Sequence, residues 1–201
     1  MPTTPLHIRA TTLDYLPLAN TKRAFDAAHA KHPGLQALRA KAVADGFVPV
    51  KGKESNWGMK ASWTASNGKS VFYEMHIESQ RGGNDEACLM TETLQTSDGD
   101  TTTYNSFLVA ARGNFKNVSE YYVDSANRVR LAKSKWTRFR KCVTSRCVGP
   151  CLSSLVTCSG TWAAYLLCVA IACGGCMAVC GACALCNCKF WCKWAVGCCK
   201  D

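Results

Sequence analysis

The stretch that decides the fold of the first two thirds of the chain is WGMKASWTASNGKSVFYEMHI, residues 57–77. Apolar side chains alternate with small or polar ones on both sides of the Asn67-Gly68 pair. A period of two is typical of a β-strand with one buried face, and an Asn-Gly pair between two such runs favours a hairpin with a type I′ turn. The sequence therefore predicts two antiparallel strands that meet at this pair.

A second hairpin follows the first along the chain. Residues 87–96 and 101–111 both have strand-like composition, and the Asp98-Gly99 pair lies between them as the predicted turn. Residues 118–123 (VSEYYV) predict a further strand. Because consecutive antiparallel strands with short turns pair with their neighbours, we expect a meander of about five strands.

Two short helices are predicted ahead of the hairpins. Residues 20–31 and 35–46 are separated by Pro33 and Gly34, and Gly46 fits a carboxy-terminal helix cap. We expect these helices to cover one face of the meander and to bury its aromatic and aliphatic side chains. The predicted fold class is α+β, with amino-terminal helices packed on an antiparallel β-meander, followed by a small disulfide-rich helical carboxy-terminal domain.

The amino-terminal part carries no pattern of a catalytic or metal site. Its four histidines (His7, His29, His32 and His76) do not have metal-ligand spacing, and Glu74, His76 and Glu78 alternate as a solvated strand face would. Nucleophile-elbow and phosphate-loop motifs are absent. The sequence therefore predicts a protein that is not an enzyme and needs no cofactor.

Charge and cysteine content divide the chain at one place. Residues 1–127 hold 13 basic and 13 acidic side chains, whereas residues 128–201 hold 11 basic ones and a single acid, Asp201. Cys88 is the one cysteine before residue 142, and the other fourteen follow. We therefore predict an α+β domain at 1–127, a basic linker at 128–141 and a cysteine-rich apolar domain at 142–201.

The predicted linker is strongly basic and includes two aromatic side chains. Such a run is typical of an exposed, protease-sensitive connection, but it also suits nucleic acid or an anionic lipid surface. The apolar composition of the adjoining cysteine-rich segment argues against a nucleic-acid module. The candidate processing residues are Arg128, Arg130, Lys133, Lys135, Arg138, Arg140 and Lys141.

No charged residue occurs between Arg146 and Lys189. This segment includes TWAAYLLCVAIACGGCMAVCGACALC, residues 161–186, which is long enough to cross a hydrocarbon core. A membrane-anchored protein is therefore one interpretation. Its many cysteines and glycines are atypical of a helix that only has to lie in lipid.

The spacing of the cysteines favours cross-linked helices. Cys173, Cys176, Cys180 and Cys183 fall within an arc of about 80° on a helix, and a second set, Cys147, Cys151 and Cys158, could supply the partner stripe. An even number of cysteines permits complete pairing. The predicted disulfide cysteines are Cys142, Cys147, Cys151, Cys158, Cys168, Cys173, Cys176, Cys180, Cys183, Cys186, Cys188, Cys192, Cys198 and Cys199, and Cys88 is expected to be a buried free thiol.

Metal binding is the other use of such cysteines. Cys-x-x-Cys pairs occur at Cys173/Cys176, Cys180/Cys183 and Cys183/Cys186, but they lie too close together for a four-thiolate zinc ribbon. A metal-thiolate storage protein of the metallothionein kind remains an alternative.

The cysteine-rich segment resembles a known class of antimicrobial precursor. CVTSRCVGPC, CVAIACGGCMAVCGACALC and the closing GCC, placed behind a larger amino-terminal domain, are similar to the precursors of halocin-type bacteriocins. The resemblance covers about residues 142–199. It implies that a carboxy-terminal peptide is released and that the amino-terminal part acts as leader or immunity protein. The family's usual twin-arginine export signal is not seen here, and no other signal peptide is visible.

The resemblance implies a secreted, cationic peptide that permeabilises the membranes of competing microbes. Its partners would be the anionic lipid of target cells and, before release, its own amino-terminal domain; nucleic acid is not expected. Basic and aromatic side chains suit the interface of an anionic membrane. The candidate membrane-contact residues are Trp162, Tyr165, Lys189, Phe190, Trp191, Lys193 and Trp194.

Overall fold

The computed structural model describes residues 10–132, 135–147, 149–186 and 193–196. In these ranges the chain forms an 8-stranded antiparallel sheet and seven helices, which confirms the predicted α+β class. The strands are β1 (Thr12–Tyr15), β2 (Val48–Pro49), β3 (Asn56–Thr64), β4 (Ser70–Gly82), β5 (Asp85–Thr96), β6 (Thr101–Ala111), β7 (Val118–Val123) and β8 (Val129–Ala132). The helices are α1 (Leu18–Lys31), α2 (Pro33–Ala44), α3 (Lys135–Arg146), α4 (Pro150–Thr157), α5 (Trp162–Cys173), α6 (Gly175–Cys186) and α7 (Lys193–Val196).

The sheet is a meander with small additions at its edges. Its order is β1-β3-β4-β5-β6-β7-β8, and β2 pairs with the end of β4. The predicted hairpins are β3/β4 and β5/β6, and the predicted fifth strand is β7. The short strands β1, β2 and β8 have no clear period of two, and the sequence did not predict them.

The turn type predicted for the first hairpin is wrong. A type I′ turn needs a positive φ at both Asn67 and Gly68. Gly68 has φ +81°, but the φ of Asn67 is negative, because Asn127 is the one described non-glycine residue with a positive φ. The Gly68 N–H donates to the Ala65 carbonyl at 3.0 Å, which is the geometry of a type I turn followed by a left-handed residue. Gly99 and Asn127 hold the same position in the β5/β6 and β7/β8 turns.

Helices α1 and α2 cover one face of the sheet. Helix α2 ends as predicted, with Gly46 at φ +82° and the Phe47 N–H donating to the Ala42 carbonyl at 2.9 Å. Under these helices lies the smaller of the two apolar cores that the described residues form. It consists of Phe25, Leu35, Leu38, Ala42, Phe47, Ala87, Leu89 and Phe107.

The large aromatic and aliphatic set faces the other way, so the expectation that α1 and α2 bury it is wrong. Trp57, Met59, Trp63, Tyr73 and Met75 belong to the larger core, which the sheet shares with the cysteine-rich helices. A period of two shows which side chains share a face, but not which element covers that face. The sheet is therefore the middle layer of three.

The predicted solvated face is also wrong for two of its three members. His76 and Glu78 are buried beneath α1 and α2, and Glu74 is half-buried beside His76. Arg39 of α2 donates to both carboxylate oxygens of Glu78 at 2.7 Å. Both bonds come from Nη2 of Arg39, and this charged partner makes burial of the Glu78 carboxylate tolerable, so the polarity of Glu78 did not indicate exposure.

Residues assigned to a linker lie in regular elements. Residues 129–132 form β8, which pairs with β7, and residues 135–141 form the first half of α3. Trp136 and Phe139 of this helix are buried in the larger core. The division at residues 127/128 stays a prediction, but packing is continuous across it.

Among the described residues, no single helix is both long and apolar enough to cross a membrane. Together, α5 and α6 are long and apolar enough, but the chain bends by 116° between them. Gly174, with φ +53°, lies at the break.

Candidate functional site

The cysteine-rich helices, α3 to α7, are called the tail below, and the face of the sheet they cover is called the tail-facing surface. The tail is held by a ladder of disulfides. Four bridges have both cysteines among the described residues: Cys142–Cys180, Cys147–Cys176, Cys151–Cys173 and Cys158–Cys168. Disulfide bonding of the cysteine-rich segment, predicted from the helical stripes, is thus confirmed for these eight residues.

The four bridges are nested one inside the next. Their sequence separations fall from 38 through 29 and 22 to 10, so each cross-link closes a segment that contains the following one. The first joins α3 to α6, and the third joins α4 to α5. Nesting aligns the two halves of the tail as an antiparallel hairpin of helices.

The remaining predicted disulfide cysteines divide into two groups. Cys183 and Cys186 in α6 are also disulfide-bonded. Cys188, Cys192, Cys198 and Cys199 lie outside the described residues. Cys88 is a buried free thiol, and burial raises its pKa well above the usual value for cysteine.

The tail-facing surface and α6 fit closely. All side chains of α6 from Met177 to Cys186 are buried. Gly181 lies against the phenol of Tyr73, where a Cβ would come 2.8 Å from the ring carbon Cζ. A residue larger than glycine would push α6 off the sheet.

A buried charge pair joins the tail to the sheet. Lys135, the first residue of α3, forms an ion pair with Glu92 of β5, and both side chains are buried. Tyr73 donates to the other Glu92 oxygen, Oε1, at 2.6 Å. Burial lowers the pKa of Lys135 and raises that of Tyr73, because both charged forms are kept from water.

A second buried carboxylate holds the first turn of α3. Glu120 of β7 accepts from the backbone N–H of Trp136 at 3.0 Å and from the Tyr104 hydroxyl, also at 3.0 Å. A carboxylate at a helix amino terminus satisfies a free N–H and meets the positive end of the helix dipole. Burial nevertheless raises the pKa of Glu120, and these hydrogen bonds oppose the rise only in part.

Five aromatic rings pack around the junction of α3, α5 and the sheet: Phe115, Trp136, Phe139, Trp162 and Tyr165. Trp162 donates to the backbone carbonyl of Glu86 at 3.1 Å, and Trp136 to that of Phe115 at the same distance. Satisfied indole N–H groups fix these rings in the core.

Comparison with protein-family models, curated proteins and solved structures finds no match.

The predicted membrane-contact residues occupy different places. Trp162 and Tyr165 lie in the aromatic cluster, where burial raises the pKa of Tyr165 to about 12, so neither is on the surface of the intact chain. Trp194 in α7 is half-buried, with the Lys69 ammonium 5.4 Å from its ring centroid. Lys189, Phe190, Trp191 and the Lys193 side chain are outside the described residues.

The predicted processing residues also differ from one another. Arg128 and Arg130 pair with Asp124, and Lys135 is buried. The remaining described residues lie along α3. Arg138 donates to the Ala184 carbonyl of α6, Arg140 donates to the Lys116 carbonyl, and Lys141 is exposed; Lys133 is outside the described residues.

Sequence reasoning missed the buried polar groups that join sheet and tail. Glu92 alternates with Cys88, Met90 and Leu94, all of which are buried on the tail-facing surface. A carboxylate within an otherwise apolar strand face could have indicated a buried charge pair, because such a group needs a partner when its face is covered.

Proposed function

We propose that the chain is the precursor of a secreted, cationic, disulfide-stapled antimicrobial peptide, and that the sheet acts as a cover for the apolar helices of that peptide until release. The tail would leave the cell, bind the anionic membranes of competing microbes and permeabilise them. The domain of α1, α2 and the sheet would be its intramolecular partner before that step. The mechanism needs no catalytic residue.

The observation that carries the proposal is the way in which the sheet covers α5 and α6. These are the most apolar helices of the tail, and their buried residues lie in one core with the tail-facing surface. Trp162, Tyr165 and Met177 are each at most 1% exposed. Their removal from the sheet would expose a large apolar area to water, which favours transfer into lipid.

The location of the disulfides supports release as a unit. Each of the four described bridges joins two residues within 142–180, and none of these four ties the tail to the sheet. Cleavage before Cys142 would therefore leave a covalently cross-linked helical body held to the sheet by non-covalent contacts alone. Such staples preserve a small fold that could not bury enough core by itself.

The charge of the tail supports a lipid target. Eleven of the 24 basic residues lie after residue 127, with one acidic residue, while the rest of the chain is balanced. Each basic side chain near an anionic leaflet contributes about 1 kcal/mol of attraction. The basic α3 would carry much of this charge toward the membrane surface.

A cleavage assay tests the proposal. A recognition site for a sequence-specific protease, inserted between Ala132 of β8 and Lys135 of α3, allows the tail to be cut and purified without reduction. We expect the purified tail to release dye from phosphatidylglycerol vesicles and to inhibit growth of an indicator strain, whereas the uncut chain does neither. Reduced and alkylated tail is the control. A disulfide-intact tail with no effect on either target would overturn the proposal.

A second candidate is a membrane-anchored protein whose thiol-rich segment inserts directly. It is favoured by the combined length and composition of α5 and α6. It predicts that the uncut chain sediments with membranes after carbonate washing. A culture fluid that contains a disulfide-bonded fragment of the tail favours the secreted peptide instead.

A further inference from the structure

Two neighbouring disulfides place their sulfur atoms in one cluster. Cys142 lies in the carboxy-terminal half of α3, and Cys147 directly follows this helix. Their bridges, Cys142–Cys180 and Cys147–Cys176, both lead to the first half of α6. The Sγ atoms of Cys147, Cys176 and Cys180 all lie within 4.8 Å of one another. Cys142 is bonded to Cys180, so a fourth sulfur adjoins the group.

We propose that, before these bridges form, the four cysteines Cys142, Cys147, Cys176 and Cys180 bind one Zn²⁺ ion as a tetrahedral thiolate site. The same side chains then serve two states of the chain. Zinc holds α3 against α6 while the chain is reduced, and the two disulfides hold the helices after oxidation. The inference does not depend on antimicrobial activity.

The separations of the sulfur atoms suit such a site. A tetrahedral zinc ion with Zn–S bonds of about 2.3 Å places its ligands roughly 3.8 Å apart. The mutual limit of 4.8 Å among three of the sulfurs is within reach of small changes in side-chain torsion. Cys176 and Cys180 are four residues apart on α6, so they present both thiolates on one face of that helix.

Burial keeps water from the proposed site, and a helix amino terminus favours one of its thiolates. Cys142, Cys147 and Cys180 are buried, and Cys176 is half-buried. Cys176 is the second residue of α6, where the positive end of the helix dipole stabilises a thiolate. A zinc ion with four thiolates carries a net charge of −2, and α3, which supplies Cys142, is rich in basic residues.

The chemistry balances with a named reductant. Two molecules of a dithiol reduce the two bridges by exchange: each gives two electrons and two protons to one bridge and becomes a disulfide. Zn²⁺ then displaces the four thiol protons and forms four Zn–S bonds. In the reverse direction two acceptor disulfides each remove two electrons from a pair of thiolates and take up two protons from water, the two bridges form, and the zinc ion leaves.

The sheet keeps the reduced helices close enough to bind. Cys180 is fully buried, and Gly181 beside it packs on Tyr73. Val143 of α3 is fully buried in the same core, and Arg138 bonds to the Ala184 carbonyl of α6. These contacts hold α3 and α6 together without a disulfide. The full chain, with its sheet, is therefore the appropriate material for the test.

Mapping of zinc protection tests the inference. The full chain is reduced with a dithiol, freed of reductant without oxygen and mixed with one equivalent of zinc. A thiol-alkylating reagent is then added, and the labelled cysteines are identified by mass spectrometry. We expect zinc to abolish labelling of Cys142, Cys147, Cys176 and Cys180, and Co²⁺ in its place to give the absorption of a tetrahedral four-thiolate site. Protection elsewhere, or no protection, would overturn the inference.

Paired variants separate a specific site from general thiol affinity. Cys142→Ser/Cys147→Ser removes two proposed ligands, and Cys158→Ser/Cys168→Ser removes the cysteines of the bridge at the far end of the ladder. We expect the first variant to lose the Co²⁺ four-thiolate spectrum and the second to retain it. Near-ultraviolet circular dichroism verifies that the sheet core is intact in both. Equal loss, or equal retention, would contradict the assignment.

Discussion

Gly181 of α6 lies against the Tyr73 ring of β4, and this contact sets how closely the tail approaches the sheet. The Tyr73 hydroxyl is fixed by its hydrogen bond to Glu92, so the ring cannot turn aside without loss of that bond. A single missing Cβ therefore governs the fit of the two layers.

Substitution of Gly181 by alanine is expected to destabilise the chain although alanine favours helix. The new Cβ would clash with a buried ring, and overpacking of this kind costs about 1–3 kcal/mol. Gly34→Ala is the matched control, because Gly34 lies in α2 and its Cβ would meet Val123 at an ordinary 3.5 Å. We expect Gly34→Ala to be neutral or to stabilise by up to about 1 kcal/mol. Urea unfolding measures both; equal effects would contradict the close contact at Gly181.

Removal of the Lys135 ammonium is expected to be strongly destabilising. Lys135→Met leaves Glu92 buried without its cationic partner, a change that typically costs about 3–5 kcal/mol. Lys141→Met removes an exposed charge from the same helix and should change the free energy of unfolding little. The double variant Glu92→Gln/Lys135→Met should recover most of the loss, because neither charge remains buried and the amide oxygen can still accept from the Tyr73 hydroxyl. A double variant no more stable than Lys135→Met would show that the pair is not the cause.

The parts of the fold that sequence predicted well depend on local chemistry. The Asn67-Gly68 and Asp98-Gly99 pairs fixed both hairpins, since a left-handed residue is needed at each turn. Gly46 ended α2 for the same reason. The strands that were missed, β1, β2 and β8, are two to four residues long and form through pairing with distant or longer strands.

The element that covers each face could not be predicted from local pattern. Tyr73 and Met75 share a face by periodicity, but the residue that packs on Tyr73 is Gly181, more than a hundred positions later. The alternation of Glu74, His76 and Glu78 on one strand face predicts a solvated face, whereas Arg39 on α2 lies over Glu78. Cross-linked helices could be predicted because the spacing of cysteines along one helix is a local property of the sequence. That spacing puts the cysteines on one face, so they can pair only with cysteines of a helix that packs on this face.

Stability is expected to depend on pH through Glu120. Burial raises the pKa of this carboxyl in the folded chain above its ordinary value of 4.5. At a pH between the pKa of Glu120 in the unfolded chain and its pKa in the folded chain, the folded chain retains a proton that the unfolded chain has lost. The free energy of unfolding therefore falls as pH rises through this interval and is lowest above the folded pKa. Glu120→Gln cannot lose a proton there. As pH rises from about 4.5, the free energy of unfolding of the variant should therefore increase relative to that of the wild type.

Unfolding by urea at a series of pH values measures this difference. Asp98→Asn, a change at an exposed turn carboxylate that pairs with Lys69, is the control for removal of an acidic side chain from the surface. A Glu120→Gln difference that is constant with pH would contradict the role assigned to burial.

The nested ladder predicts an unusual dependence of stability on loop length. Cys142–Cys180 joins residues 38 positions apart, and Cys158–Cys168 joins residues 10 positions apart. If each bridge closed its loop alone, the longer loop would make Cys142–Cys180 the more stabilising of the two. With Cys147–Cys176 intact, however, loss of Cys142–Cys180 frees only the short stretches between the two bridges. We therefore expect Cys142→Ser/Cys180→Ser and Cys158→Ser/Cys168→Ser to cost similar amounts, about 3 kcal/mol each.

Loss of both Cys142–Cys180 and Cys147–Cys176 should cost more than the sum of their separate losses. Each bridge shortens the loop that the other closes, so the second removal frees a longer segment than the first. Thermal and urea unfolding of the single-bridge and double-bridge variants gives the coupling directly. Strict additivity, or a far larger cost for Cys142–Cys180 alone, would show that the two bridges do not act as one ladder.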